Sequence, residues 1–116
     1  NGVRVGAGPV MGLYSFHGRG TLNGVIPHPA LVSHTEASAE AAGLNLQRHA
    51  TVGLLTDASY VQLVNGGTPV IDLSWPTRYT HTGTEVCSLD DLEGLSRLIT
   101  QVVSDFPQSL ERETTP

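Results

Sequence analysis

The sequence predicts an α/β layer sandwich in which helices flank a mixed, mostly parallel sheet. Candidate strands and helices alternate along the chain, and this order places helices on the faces of a sheet. Two helical segments, 30–42 and 88–106, are bounded by residues that typically start and stop helices. Residues 69–74 form a nearly continuous apolar run, which is typical of a strand covered on both faces.

The first candidate strand lies within residues 3–16, where Gly6, Gly8 and Pro9 bend the backbone before a short apolar run. A glycine-rich loop is expected at 17–27. Residues 44–52 alternate as a strand does, but the pattern leaves open which face is buried.

Three helices are predicted from their ends. Pro29 suits a first helical position and Gly43 a stop, which bounds the first helix. Thr56 is expected to cap a helix over 57–65. Ser88 and Asp91 resemble a capping box for the last helix. Its apolar residues recur at spacings of three and four and predict one buried face: Leu92, Leu95, Leu98, Ile99, Val102 and Phe106. Residues 1–107 are therefore expected to form one domain, followed by a flexible tail at 108–116.

Composition excludes several classes of partner. The 116 residues carry a formal charge of -5, and the 6 basic residues are scattered singly, so nucleic acid is not an expected partner. No apolar run approaches the roughly 18 residues of a membrane span. The one cysteine, Cys87, cannot form an internal disulfide and no secretory leader opens the chain, so we expect a cytoplasmic protein.

The strongest local signal for chemistry is His81, in the loop 76–82 after the apolar strand. Ligands of open α/β sheets bind at the carboxyl ends of strands, so this imidazole could bind a metal, act as a base or make a structural hydrogen bond. The other four histidines lack metal-ligand spacing and are expected to face solvent: His17, His28, His34 and His49.

The acidic residues have simpler explanations. Asp57 sits at a predicted helix start, where capping explains it better than catalysis. Asp72 lies in the apolar run, so its carboxylate should be hydrogen-bonded. Asp90 and Asp91 fit the usual charge pattern of a helix's first turn, and no carboxylate pair is placed for glycoside hydrolysis.

Two other kinds of site are not indicated by the sequence. Ser15, Ser74 and Cys87 lack nucleophile motifs. Gly6 and Gly8 lack the rest of a dinucleotide-binding loop.

Three segments together resemble the tetrahedral, glutamyl-aminopeptidase-like family at the end of its catalytic domain. They are residues 6–10, similar to the family's Gly-x-Gly-Pro strand; residues 56–58 with 65–69; and residues 76–86. The last segment is the most specific, since it is similar to the family's Arg-Tyr-x-His-Ser-x-x-Glu run. The resemblance extends from about residue 6 to 103, in the family's order.

The resemblance implies a two-metal aminopeptidase that removes amino-terminal residues from peptides. His81 would bind one of two divalent ions, Zn or Co, while the general-base glutamate and the remaining ligands would precede residue 1. The segment alone would then be inactive. The family also implies a homo-oligomer, a dodecamer. A non-catalytic α/β binding or assembly domain of the same fold is the alternative, and a glycoside hydrolase is a weaker one.

Four further residues are expected to serve this site. Thr56 and Asp57 should support a loop near the active-site cleft without touching metal. Arg78 and Tyr79 belong to the loop that presents His81. If this loop is extended, Tyr79 lies on the side of His81 and Arg78 on the other, where it would pair with Asp72 or Glu85.

Overall fold

A computed structural model describes residues 2–18 and 24–111 of the chain. Its main sheet has four strands, and the first runs through the middle: β1 Val10–Phe16, β2 Gly24–Val25, β3 Gln47–Val52 and β4 Leu73–Ser74. β1 pairs with β3 in parallel along its length. β2 and β4 pair antiparallel with opposite ends of β1, on its other edge. The predicted mixed α/β architecture is confirmed, and its longest pairing is the parallel one.

A second, two-stranded sheet carries the loop of His81. β5 Thr77–Arg78 pairs antiparallel with β6 Val86–Cys87, so residues 79–85 form the connection of a hairpin. The sequence predicted only a loop here, because neither strand exceeds two residues.

Four helices are described: α1 Pro29–Ala41, α2 Ala58–Val61, α3 Leu89–Ser104 and α4 Gln108–Glu111. α1 and α3 pack together over the sheet. The buried core between them consists of Met11, Ala39, Leu46, Leu98 and Val102. Both predicted helix boundaries of α1 are confirmed, since Pro29 opens it and Gly43 leaves it at a φ of 67°. Among the described residues, no helix is long and apolar enough to cross a bilayer.

A β-bulge in β1 changes which side chains share a face. Gly12 pairs with His49, and Ser15 pairs with Thr51. Between these two pairs, β1 therefore contains one more residue than β3. Side chains alternate along β3, which puts His49 and Thr51 on one face. Ser15 therefore lies on the same face as Gly12, away from Met11 and the core.

The second predicted helix, 57–65, is wrong in extent. Only Ala58–Val61 is α-helical, a short 3₁₀ turn follows at Val64–Gly66, and Asn65 has a left-handed φ of 55°. Thr56 does not cap it, because its hydroxyl bonds elsewhere. The predicted strand at 69–74 pairs only at its last two residues, although Val70 is buried.

The last helix also differs from its prediction. Leu95, Leu98 and Val102 are buried as expected, but Ile99 and Phe106 are exposed. The capping box does not form, since Ser88 makes no side-chain cap bond. Within the segment predicted to be a flexible tail, residues 108–111 form α4, whose Leu110 is buried. Residues 112–116 lie outside the described residues.

Candidate metal-binding loop

The loop 79–85 folds back on itself between β5 and β6. The backbone N–H of His81 donates to Glu85 Oε1 at 2.6 Å, and Thr82 Oγ1 donates to the carbonyl oxygen of Tyr79 at 2.5 Å. Tyr79 and His81 have φ angles of 59° and 61°, in the left-handed region that non-glycine residues adopt rarely. The loop is therefore not extended, and the side-chain alternation that we predicted for it is wrong.

The imidazole of His81 is available to a ligand. The residue is exposed, and its ring makes no hydrogen bond or ion pair with the described residues. A neutral imidazole nitrogen in this position can bind a divalent ion. The described part of the chain contains no group of three or more histidine, cysteine or acidic residues suited to a metal. His81 could therefore supply one ligand to a metal ion, and the other ligands would have to come from residues outside the described part of the chain.

The other histidines are less exposed than predicted. His17 does face solvent, but His28, His34 and His49 are half-buried. His34 lies between the two long helices, where its Nε2 is 2.9 Å from the carbonyl oxygen of Val102 and its ring contacts Phe106 edge-on. These contacts make His34 a packing residue.

Arg78 does not make the predicted ion pair. Its exposed guanidinium has no acidic or carbonyl partner among the described residues. Both predicted partners are engaged elsewhere, because Glu85 accepts from the backbone of His81 and Asp72 accepts from Thr56. Arg78 therefore does not stabilise the loop through an ion pair with the described residues.

Arg78 instead lines a cleft beside the loop. This cleft has a volume of about 640 Å³ and extends from the start of the chain across β3 to β5. Its polar lining includes Arg4, His49 and Thr80, and Trp75 lines it as an aromatic residue. Among the described residues, no carboxylate lines it. His81 is not among the lining residues, so the cleft adjoins the imidazole's loop without enclosing the imidazole.

Thr56 bonds to Asp72, a residue next to β4. Its hydroxyl lies 2.9 and 3.0 Å from the two carboxylate oxygens of Asp72. Asp72 is in turn fixed to the sheet, because its carbonyl oxygen accepts from the N–H of Gly12 at 2.9 Å. The prediction that the Asp72 carboxylate is hydrogen-bonded is thus confirmed, although its partner is Thr56 and not Arg78. Asp57 differs: its exposed side chain makes no cap bond, and among the described residues it supports nothing.

We expect Thr56→Val to lower the free energy of unfolding by about 1–2 kcal/mol. A hydrogen bond to a charged group contributes about 1.5–3 kcal/mol, and Asp72 remains partly hydrated. Asp57→Asn is the matched control and should stay within about 0.5 kcal/mol of the unsubstituted protein. Denaturant unfolding measures both. Equal losses for the two variants would contradict the role given to Thr56.

Asp91 is the residue that sequence reasoning missed. It is fully buried, and its two carboxylate oxygens accept from the backbone N–H groups of Gly6 at 2.6 Å and Gly8 at 2.8 Å. The bonds join the start of α3 to the segment that leads into β1. Gly8 must be glycine, since its φ is 111° and a Cβ would lie 2.0 Å from the carbonyl oxygen of Asn45. Two features of the sequence could have indicated this contact: the Gly6-x-Gly8 motif and an acidic residue in the first turn of the last helix.

A sequence model of the M42 glutamyl aminopeptidase family matches residues 2–98, which include the main sheet, the His81 loop and most of α3. The chain belongs to this family. The "Putative aminopeptidase SgcX" of Escherichia coli K12 is 37% identical over 117 residues, which cover 97% of this chain and 31% of SgcX. The chain thus spans about a third of the length of this curated relative.

Solved structures of aminopeptidases share the fold. Aminopeptidase APDkam598 from the archaeon Desulfurococcus kamchatkensis superposes with a TM-score of 0.85 and 26% identity, over 98% of this chain and 31% of its own. The TET1 peptidase of Pyrococcus horikoshii, which assembles into a tetrahedron or a large octahedral shell, gives a TM-score of 0.67 and 26% identity over 86% of this chain and 27% of its own. The resemblance seen in the three sequence segments is therefore confirmed at the level of family and fold.

Proposed function

We propose that this chain is part of a two-metal aminopeptidase that hydrolyses amino-terminal residues from peptides. One observation carries the proposal: the family match includes a hairpin loop that presents an exposed imidazole, His81, without a partner among the described residues. A histidine with a structural role would be expected to make hydrogen bonds within the protein, as the half-buried His34 does through its Nε2.

Within this proposal His81 holds one of two divalent ions, Zn or Co. Bound metal polarises the peptide carbonyl and lowers the pKa of a bound water. Glu85 fixes the backbone of His81 through the N–H bond, which restricts where the imidazole can reach. The general-base glutamate and the remaining ligands come from outside this chain, since the described residues lack a ligand cluster. Residues 1–107 then form the carboxy-terminal half of the catalytic domain.

The assembly proposed is a homo-oligomer in the cytoplasm. The support for an oligomer is likeness to the Pyrococcus horikoshii TET1 peptidase, which can assemble into a tetrahedron or a large octahedral shell, and to PhTET1-12s, solved with a dodecamer in the asymmetric unit. Peptide is the proposed substrate, because the family is one of aminopeptidases.

The test uses the full-length protein, purified and depleted of metal with a chelator. We expect it to release amino-terminal residues from short unblocked peptides only after Zn or Co is restored, and to leave peptides with acetylated amino termini intact. Mass spectrometry of the products distinguishes this from internal cleavage. A folded, metal-loaded protein that hydrolyses no peptide would favour the alternative, a non-catalytic α/β binding or assembly domain.

A further inference from the structure

Ser15 is buried without a hydrogen-bond partner. It is 4% exposed, and its Oγ has no partner among the described residues. Buried hydroxyl groups are nearly always hydrogen-bonded, to protein or to ordered water. The position is specific to the bulge in β1, which moves Ser15 from the face of Met11 to the face of Gly12 and His49.

A small cavity lies on that same face of the sheet. Its volume is about 40 Å³, and Ser15 is one of the residues that line it. The other lining residues that carry polar groups are Tyr14, His49, Thr51, Asp72 and Ser74. A single water occupies about 30 Å³ in the liquid and needs two to four polar partners. The cavity is large enough to hold water, and several of its lining residues carry polar groups that could bond to it.

We propose that this cavity binds one structural water, which accepts or donates a hydrogen bond at Ser15 Oγ and is shared with the polar groups around it. A divalent cation suits the cavity less, because its one carboxylate, Asp72, already accepts from the hydroxyl of Thr56. The water would connect β1 to its neighbouring strands at the bulge, where the regular ladder is interrupted. The proposal is independent of the metal chemistry proposed above.

The decisive measurement is a crystal structure of the full-length protein at a resolution that shows ordered water. We expect a density peak within about 2.5–3.2 Å of Ser15 Oγ, at ordinary hydrogen-bond distances. Ser15→Ala should lose this water or weaken its density, and should lower the midpoint of thermal unfolding because the water loses a partner. Ser59→Ala is the matched control, since Ser59 Oγ is also buried and unpartnered but does not line this cavity. It should leave the density unchanged.

Three results would overturn the proposal. One is an empty cavity in the unsubstituted protein, in which case Ser15→Ala should raise the midpoint by removing an unsatisfied hydroxyl. The second is a protein group from another part of the polypeptide bonded to Ser15 Oγ. The third is a peak with coordination distances of about 2.3–2.6 Å, which would indicate Ca²⁺.

Discussion

His81→Ala in the full-length protein is expected to remove one of the two proposed metal ions and to lower the proposed peptide hydrolysis by at least about 100-fold. Loss of a residue that merely orients a ligand costs about 10–100-fold in metal affinity or activity, so loss of the ligand should cost no less. The ring is exposed and has no partner among the described residues, so the substitution should leave the stability of the fold almost unchanged. Elemental analysis of the purified variant, alongside a peptide hydrolysis assay, measures both effects.

The matched control is His17→Ala, which removes another exposed histidine without touching the loop. It should keep both metals and full turnover. His81→Ala should also unfold at the same denaturant concentration as the metal-depleted parent protein, because no described contact of the side chain is lost. A variant that retained two metals and full activity would refute the assignment of His81.

Asp91→Ala is expected to cost about 2–6 kcal/mol of unfolding free energy, the largest effect on stability that we predict. The substitution removes two part-buried hydrogen bonds, from the backbone N–H groups of Gly6 and Gly8 to the carboxylate. A hydrogen bond to a charged group contributes about 1.5–3 kcal/mol, and water can replace part of this at the exposed Gly6. Its neighbour in sequence provides the control. Asp90 is exposed in the same first turn, so Asp90→Ala should lose only the helix-dipole term of about 0.3–1 kcal/mol.

Urea unfolding of the two variants and of Asp91→Asn separates the possible causes. Asparagine keeps one oxygen but places an N–H₂ group against the second donor, so it should fall between aspartate and alanine. Similar losses for Asp90→Ala and Asp91→Ala would show that charge at the helix start is the main effect. A loss confined to Asp91 would establish the contact with the Gly6 and Gly8 backbone.

The sequence predicts a helix correctly where the residues at its ends determine where it starts and stops. Pro29 and Gly43 bound α1 because their backbone preferences act without tertiary contacts. The short elements were not predictable. β2 consists of Gly24 and Val25 within a glycine-rich stretch, and it forms because β1 offers an edge. The helix predicted at 57–65 is interrupted at Asn65, whose left-handed backbone a propensity argument does not foresee.

The candidate site was predicted in part, for the same reason. His81 is a candidate from the sequence because its loop follows the apolar segment, and the position of Asp72 in that segment predicts a hydrogen-bond partner. The identity of that partner, Thr56, depends on a contact across 16 residues that no local pattern shows. Asp91 was missed because the helix dipole already explained an acid in the first turn. The Arg78 prediction failed because it assumed an extended loop, whereas Tyr79 and His81 turn the backbone.

The position of β3 at the edge of the main sheet favours aggregation of residues 1–116 when they are expressed by themselves. β3 is the last strand on its side of the main sheet, and no described residue pairs with its outer edge. Such an edge exposes a row of backbone donors and acceptors that a second copy can match, strand to strand. The charged Arg48 opposes this pairing, but its partner Glu36 partly neutralises it. Residues 1–116 expressed by themselves are therefore liable to aggregate through this edge.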